Sequence, residues 1–395
     1  TAGGTGYEGL LGGRTAERLT TMDTPAAVYR LIYGAPGYRA MAHATLGFCG
    51  IRTTCITRIG PIRGSSASQR AAWLERARAA GRAAAAGREP VAGRLIARLM
   101  AWLQALRLQF YPMTFLAYWM GALAAAPEGG PDPVAFWLGY LMLFLLEAAT
   151  VFTNDVFDEA SDRANACYGP FSGGSRVLQR GLIARAALVH GAALALGGAA
   201  LLLAALAATS PQPWTVLVFF LGFGVIALGY TVPPLQFSYR GLGELVVAAT
   251  HSFGAVYAGH LLQGGAVSSA EPLVLSLPLF LAVLPAIALA GVPDAAADRA
   301  VGKGTLVVRF GGGAVLLAGI GACTAAAVLA VAFGLAEAGP WDATALLVVP
   351  HATVLVMLLV RRLPRAGASE RIDGLMAVAL AYIVWFAALP LLRLG

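Results

Sequence analysis

Charged residues are scarce in this sequence of 395 residues. Asp, Glu, Lys and Arg make up 12% of it, whereas hydrophobic residues make up 58%. Soluble domains carry roughly 25% charged residues. The shortage excludes a water-soluble protein for most of the length. The apolar runs that replace the missing charges indicate a helical protein that crosses a membrane several times.

Cysteine is rare as well. The four cysteines, Cys49, Cys55, Cys167 and Cys323, lack the spacing of a zinc ribbon or a dense disulfide scaffold. His43 lies near two of them, but three residues without a fourth ligand favour an ordinary structural role over a metal site. We therefore expect free thiols.

Lysine is almost missing, because Lys303 is the only one beside 27 arginines. The charges are unevenly divided: residues 1–107 hold 15 Arg and 5 acids, and residues 108–395 hold 13 basic residues and 15 acids. We predict a basic, cytoplasmic amino-terminal extension of unknown fold at 1–98, with a solvated helix within 65–90. Residues 99–395 are predicted to form a transmembrane domain.

Nine segments are long and apolar enough to cross a bilayer core about 30 Å thick. They predict an all-α, polytopic membrane protein. The predicted spans are 108–126, 134–153, 186–208, 214–232, 244–263, 272–292, 312–335, 343–360 and 373–392.

The loops between these spans alternate in charge. The loops after spans 1, 3, 5 and 7 contain no Lys or Arg, whereas the loops after spans 2, 4, 6 and 8 each contain at least one Arg. Cytoplasmic loops carry the excess of Lys and Arg. The pattern predicts an inner-membrane protein with its amino terminus in the cytoplasm and its carboxy terminus outside.

Acidic residues gather at the cytoplasmic ends of two spans, where charge is costly and usually functional. The first group, Asn154, Asp155, Asp158 and Asp162, follows span 2. On a continuous helix these four side chains project from one arc of about 100°.

The second group, Asp294 and Asp298, follows span 6 with a spacing of four residues, which again places both carboxylates on one helix face. Mg²⁺ is bound by one or two carboxylates together with phosphate oxygens of a substrate. Two such groups facing each other predict a magnesium site for a diphosphate, in which all six residues are candidate ligands and the five aspartates are candidate catalytic residues.

Basic residues and tyrosines lie in the same cytoplasmic loops. The candidates for contact with the diphosphate are Lys303, Arg163, Arg176, Arg299 and Arg240, and the candidates for contact with an acceptor are Tyr230 and Tyr239. The positive-inside rule alone also accounts for these arginines, and interfacial packing alone accounts for the tyrosines. Both interpretations stay open at this point.

The two motifs together resemble those of the UbiA superfamily of intramembrane aromatic prenyltransferases. They read Asn-Asp-x-x-Asp-x-x-x-Asp at 154–162 and Asp-x-x-x-Asp-Arg-x-x-Gly-Lys-x-Thr-Leu at 294–306. The segments 173–178, 230–244 and 298–309 look most like the menaquinone-type branch, whose acceptor is 1,4-dihydroxy-2-naphthoate. The sequence departs from the family where Arg107 stands without the proline that often follows it, which leaves its substrate role open.

The resemblance implies helices around a central cavity open to lipid, closed by a cytoplasmic cap where the two motifs meet. It implies Mg²⁺-dependent transfer of an isoprenyl group from a prenyl diphosphate to an aromatic acceptor, with membrane lipid and no nucleic acid as partner. Lys303 is then expected to contact the diphosphate.

Three other functions remain open. The same fold can prenylate a phosphosugar, a lipid or a tetrapyrrole. A transporter is less favoured, because the acids lie at span ends rather than beside helices broken near the midplane. A third hypothesis is a non-catalytic subunit that docks to a membrane assembly through its amino-terminal extension.

Overall fold

The computed structural model describes residues 10–11, 14–25, 28–29, 33, 35–86, 91–126, 129–367 and 370–395, and only the backbone of residues 54, 55 and 91–94. Glu128, an acid of the predicted first loop, and the side chain of Cys55 therefore lie outside the described residues. The chain divides into two compact units, residues 1–101 and 102–395.

The amino-terminal unit contains a small parallel sheet that the sequence analysis did not predict. Strand β1 (Thr15–Thr21) pairs with β2 (Arg52–Ile59), and the helix α1 (Pro36–Arg39), which continues as a π-helix at Ala40–Gly47, connects them. The crossover is needed because parallel strands cannot be joined by a tight hairpin.

Helix α2 (Ala67–Ala85) confirms the solvated helix predicted within 65–90. Ser66 and Gln69 form a reciprocal capping box at its start, in which each side chain accepts a hydrogen bond from the backbone N–H of the other residue. None of its residues is buried, so alanine's helix propensity and the cap, rather than packing, favour it.

Helices make up nearly all of the second unit. The helix that leads into it is α3 (Val91–Leu106). The helices that follow are α4 (Tyr111–Ala125), α5 (Pro133–Phe157), α6 (Glu159–Ala164), α7 (Arg185–Thr209), α8 (Pro213–Leu228), α9 (Gly243–Leu262), α10 (Glu271–Ala300), α11 (Leu306–Leu335), α12 (Ala343–Arg365) and α13 (Asp373–Leu394).

The polytopic helical architecture agrees with the sequence, but seven rather than nine described helices are long and apolar enough to span a membrane. Each predicted span coincides with a helix; however, α4 has 15 residues and α8 has 16. Helix α8 ends at Leu228 instead of 232, because Pro233 and Pro234 cannot donate the backbone hydrogen bonds of a further turn.

Helices α5 and α10 run past their apolar segments at the predicted cytoplasmic side. Helix α5 continues to Phe157 and includes Asn154 and Asp155, whereas α10 continues to Ala300 and includes Asp294 and Asp298. Asp155, Asp294 and Asp298, which were predicted to follow these spans, therefore lie within the last turns of the helices.

Helices α4 and α9 cross at two glycines. A Cβ atom on Gly121 would overlap the carbonyl oxygen of Val256, and one on Gly259 would overlap that of Tyr118. Small residues allow helix backbones to approach closely inside a membrane. This contact fixes α9, which forms one wall of the cavity described below.

Gly259→Val is expected to destabilise the protein by about 1–3 kcal/mol or more, because the larger side chain forces the two backbones apart. Gly197, on α7, is the matched control, because a Cβ there has open space around it. Thermal unfolding of the purified variants in detergent tests this; equal melting temperatures for Gly259→Val and Gly197→Val would contradict it.

Candidate active site

The first acidic motif surrounds a break between two helices. Asn154 and Asp155 belong to α5, Asp158 follows its last residue, and Asp162 lies in α6. The Asn154 side-chain amide donates to Asp158 Oδ2 at 2.7 Å, and the backbone N–H of Asp162 donates to the Asp158 carbonyl at 2.8 Å. The backbone thus keeps a helical turn through the break.

The two acidic motifs meet through side-chain hydrogen bonds. Asn165 donates to Asp294 at 2.6 Å, and Ser161 donates to Asp298 at 2.5 Å. These bonds join α10 to the segment after α5, more than 120 residues earlier in the chain. Both motifs therefore lie at the same end of the helices.

Lys303 lies between the motifs. Its ammonium is 2.6 Å from Asp158 Oδ2 and 3.9 Å from Asp298 Oδ1, and the residue is 8% exposed. Burial is the largest single influence and would lower the pKa of this lysine, but Asp158, Tyr230 and Asp298 together outweigh burial and raise the pKa above its ordinary value. Lys303 therefore remains a cation at the centre of the site.

The two candidate tyrosines occupy different places. The Tyr239 hydroxyl donates to Asp158 Oδ1 at 2.9 Å, and the Lys303 ammonium lies 5.6 Å from the centre of its ring. Burial, followed by the charge of Asp158, raises the pKa of Tyr239. Tyr230 lines the cavity itself, whereas Tyr239 supports Asp158 and Lys303.

Asp155 and Asp162 are both buried but differ in their partners. Asp155 accepts hydrogen bonds from the backbone N–H and the hydroxyl of Ser175, so it fixes the loop after α6 rather than lining the cavity. Asp162 lines the cavity, and its Oδ2 has no hydrogen-bond partner. Burial, followed by the charges of Asp158 and Asp155, raises the pKa of Asp162 to about 8.

The four candidate arginines do not line the cavity. Arg163 pairs with Glu159, Arg240 donates to the Pro234 carbonyl, and Arg299 is exposed. Arg176 donates to the Asp162 carbonyl and stacks on the Tyr168 ring, 4.1 Å from its centre. Of these four, only Arg176 contacts the acidic motifs.

Sequence reasoning did not assign three residues that the structure brings to the site. Arg107 lines the cavity, and its buried Nε has no hydrogen-bond partner. Ser161 and Asn165 hold the second motif, and they follow Asp158 by three and seven residues, a helical spacing that could have identified them. The sequence analysis left the role of Arg107 open because the proline that often follows this arginine in the family is missing here.

These side chains line one end of a cavity in the second unit. Its polar end includes Asn154, Asp158, Asp162, Asp294 and Asp298, together with Arg107 and Lys303, and the remainder is mostly apolar. The carboxylates outnumber the cations, and burial makes that excess costly. A further cation is therefore favoured at this end.

The donors fit Mg²⁺, a hard cation that prefers carboxylate oxygens. Asp162 Oδ2 is a buried oxygen without a partner. Among the described residues, no three His, Cys, Asp or Glu side chains are grouped closely enough to hold one ion. This agrees with the way Mg²⁺ binds through one or two carboxylates and the phosphate oxygens of a substrate.

Comparison with known proteins points to one family. The sequence matches the UbiA prenyltransferase family over residues 113–380. It is 30% identical over 227 residues to the 1,4-dihydroxy-2-naphthoate octaprenyltransferase of Escherichia coli (strain K12), an alignment that covers 55% of this chain and 70% of that protein.

Two solved structures have the same fold. A UbiA homologue from Archaeoglobus fulgidus bound to DMAPP and Mg²⁺ aligns with a TM-score of 0.53 and 17% identity over 74% of this chain and 98% of its own. A digeranylgeranylglyceryl phosphate synthase aligns with a TM-score of 0.51 and 14% identity over 75% of this chain and 98% of its own.

The family match covers both acidic motifs, Lys303 and the helices that carry them. It lies entirely within the second unit. The chain belongs to the UbiA prenyltransferase family and is a membrane-embedded prenyltransferase.

Proposed function

We propose that this protein transfers an isoprenyl group from a prenyl diphosphate to an aromatic quinone precursor such as 1,4-dihydroxy-2-naphthoate, and releases diphosphate. The observation that carries the proposal is the meeting of Asp158, Asp298 and Lys303 at the polar end of a largely apolar cavity. The polar end suits a diphosphate, and the apolar remainder suits an isoprenoid chain.

Asn154, Asp158, Asp162, Asp294 and Asp298 are the candidate ligands of Mg²⁺, and one or two of their carboxylates would hold each ion. Mg²⁺ bound there would neutralise negative charge on the diphosphate. Asp155 shapes the loop beside them through Ser175. The metal proposal draws on the buried, unpartnered oxygen of Asp162 and on the A. fulgidus homologue, whose structure contains Mg²⁺.

The chain's own cations assist departure of the diphosphate. Lys303 and Arg107 line the polar end and stabilise the negative charge that grows as the bond between the prenyl C1 and oxygen breaks. The apolar wall, which includes Leu146, Phe223 and Val283, keeps water from the allylic cation. An electron-rich ring carbon of the acceptor then forms the new bond to C1.

The aromatic acceptor is favoured over a phosphosugar, a lipid or a tetrapyrrole by the E. coli relative, whose name gives a naphthoate acceptor. The structural match to a digeranylgeranylglyceryl phosphate synthase is the observation that favours a lipid product. At 14% identity, however, this match supports the fold alone. Assays that offer each acceptor with one labelled prenyl diphosphate separate these functions.

The acidic motifs are proposed to lie on the cytoplasmic side of an inner membrane, in a nine-span arrangement with the carboxy terminus outside. The proposal rests on the alternation of arginine between successive loops. The docking role of residues 1–98 stays a prediction.

Asp158→Asn and Asp294→Asn are each expected to lower prenyl transfer by about 10²–10³-fold, because each removes a carboxylate that would bind Mg²⁺ and so weakens stabilisation of the departing diphosphate. The matched control is Glu159→Gln, since Glu159 lies next to Asp158 but pairs with Arg163 and Arg185. Product formation from labelled prenyl diphosphate measures the effect. Near-normal transfer by both Asn variants would contradict the site assignment.

Removal of divalent cations with EDTA is expected to abolish diphosphate release, and added Mg²⁺ is expected to restore it. The reason is that the carboxylates outnumber the basic side chains around the diphosphate site. Diphosphate release is measured in detergent and in vesicles. Substrate movement across vesicles without diphosphate release would instead favour a transporter.

Orientation is tested by placing single cysteines in a chain whose native cysteines are replaced. Arg163→Cys is expected to react with a membrane-impermeant maleimide only after the cells are permeabilised, whereas Glu337→Cys is expected to react in intact cells. Both positions are exposed in the structure. The reverse labelling pattern would overturn the proposed orientation.

A further inference from the structure

A second polar group lies inside the cavity, away from the acidic motifs. Glu147 of α5 and His251 of α9 both line the cavity, with side chains 13% and 20% exposed, and their Oε1 and Nε2 atoms are 3.9 Å apart. Both belong to helices that qualify as membrane spans. Ionisable residues at such positions are costly and usually have a function, and the reaction described above does not use this pair.

The pair lies on the same helix faces as the polar end of the site. Glu147 precedes Asn154 by seven residues, and His251 follows Glu244 by seven; Asn154 and Glu244 also line the cavity. Seven residues are about two helical turns, or about 10 Å along the axis. The pair is therefore positioned about two helical turns deeper along the cavity than the polar end.

The hydrogen bonds of His251 determine which ring nitrogen carries the proton. Nδ1 lies 2.9 Å from the Val247 carbonyl oxygen, which can only accept, so Nδ1 donates. In the neutral ring, Nε2 is then an acceptor that faces the Glu147 carboxylate, which is also an acceptor. At 3.9 Å the two do not form a direct hydrogen bond. A hydroxyl group placed between the two side chains would supply the donor that this arrangement lacks.

Two further features of this cavity favour a functional role for the polar groups inside it. Thr114, from α4, lines the same cavity and is 6% exposed, and its hydroxyl has no hydrogen-bond partner. His251 lies in a π-helical segment, Thr250–Gly254, within α9. Such π-helical insertions are frequent at functional sites, because they change where side chains point.

We propose that Glu147 and His251 bind a ring hydroxyl of the aromatic acceptor, with His251 accepting its proton. The inference rests on the proposed function. The O–H bond breaks, its electron pair stays on the acceptor oxygen, and the proton moves to His251 Nε2, where the Glu147 carboxylate stabilises the resulting cation. The more electron-rich ring then attacks C1 of the allylic cation, which forms when the diphosphate leaves with the C1–O electron pair.

The test measures kcat and KM separately for acceptor and donor in Glu147→Gln, His251→Gln and the double variant. His190→Gln is the matched control, because His190 is an exposed histidine on α7 outside this cavity. The acceptors are 1,4-dihydroxy-2-naphthoate and its two monomethyl ethers, which each lack one hydroxyl proton. Melting temperatures, and binding of prenyl diphosphate with Mg²⁺, are measured for each variant.

The single variants are expected to raise the acceptor KM or lower kcat so that kcat/KM for the acceptor falls about 10- to 100-fold. The donor KM is expected to stay unchanged. The double variant is expected to be little worse than either single variant, because the two residues act on one hydroxyl. One of the two monomethyl ethers lacks the hydroxyl proton that His251 accepts. With that ether, wild type and His251→Gln are expected to have the same kcat/KM.

An unchanged kcat/KM for the acceptor in folded, donor-binding variants would overturn the inference and leave the proposed function intact. So would an equal loss for dihydroxynaphthoate and both monomethyl ethers, since a structural role alone explains it. A wild-type protein that binds prenyl diphosphate but prenylates no aromatic acceptor would overturn the proposed aromatic function, and the inference with it.

Discussion

The contact of one lysine with carboxylates from two distant motifs is the interaction on which the site depends. Lys303 lies 2.6 Å from Asp158 and 3.9 Å from Asp298, and all three are buried. A buried carboxylate without a partner is costly, and the cost grows when several lie together. The single ammonium lowers that cost, and the hydrogen bonds from Ser161 and Asn165 hold the second motif in place.

The cavity has two polar levels separated by about two helical turns. The level at the helix ends is rich in charge and suits a leaving group that carries several negative charges. The deeper level contains the acid–base pair Glu147 and His251. Such a division places anion stabilisation and handling of a hydroxyl proton in separate parts of one cavity, so each can be suited to its own chemistry.

Hydropathy predicted the polytopic helical fold, and the two acidic motifs, which were predicted to face each other, meet at one end of a cavity in the structure. Helix ends were less predictable, because α5 and α10 carry their acids within additional turns that local hydropathy counts as loop. The parallel sheet of the amino-terminal unit was missed because strands β1 and β2 pair although they are more than 30 residues apart in the sequence.

Individual roles within the site depended on contacts that sequence spacing does not contain. The helical spacing predicted that Asp155 and Asp158 project from the same side of one helix towards the metal site. In the structure, Asp155 accepts a hydrogen bond from Ser175 and does not line the cavity. The arginines of the loops could not be divided into site residues and membrane-orienting residues, because both kinds occur at the same helix ends. The Glu147–His251 pair combines residues more than 100 positions apart, and only the packing of α5 and α9 brings them together.

The glycine crossing of α4 and α9 has a consequence for the walls of the cavity. At Gly121 and Gly259 the two backbones already touch, so these helices have no room to draw closer when a small ring enters. Thr114 and His251 lie on those same two helices, about two turns from the crossing. The separation of the α4 and α9 walls near Thr114 and His251 is therefore set by the glycine crossing rather than by the molecule that enters.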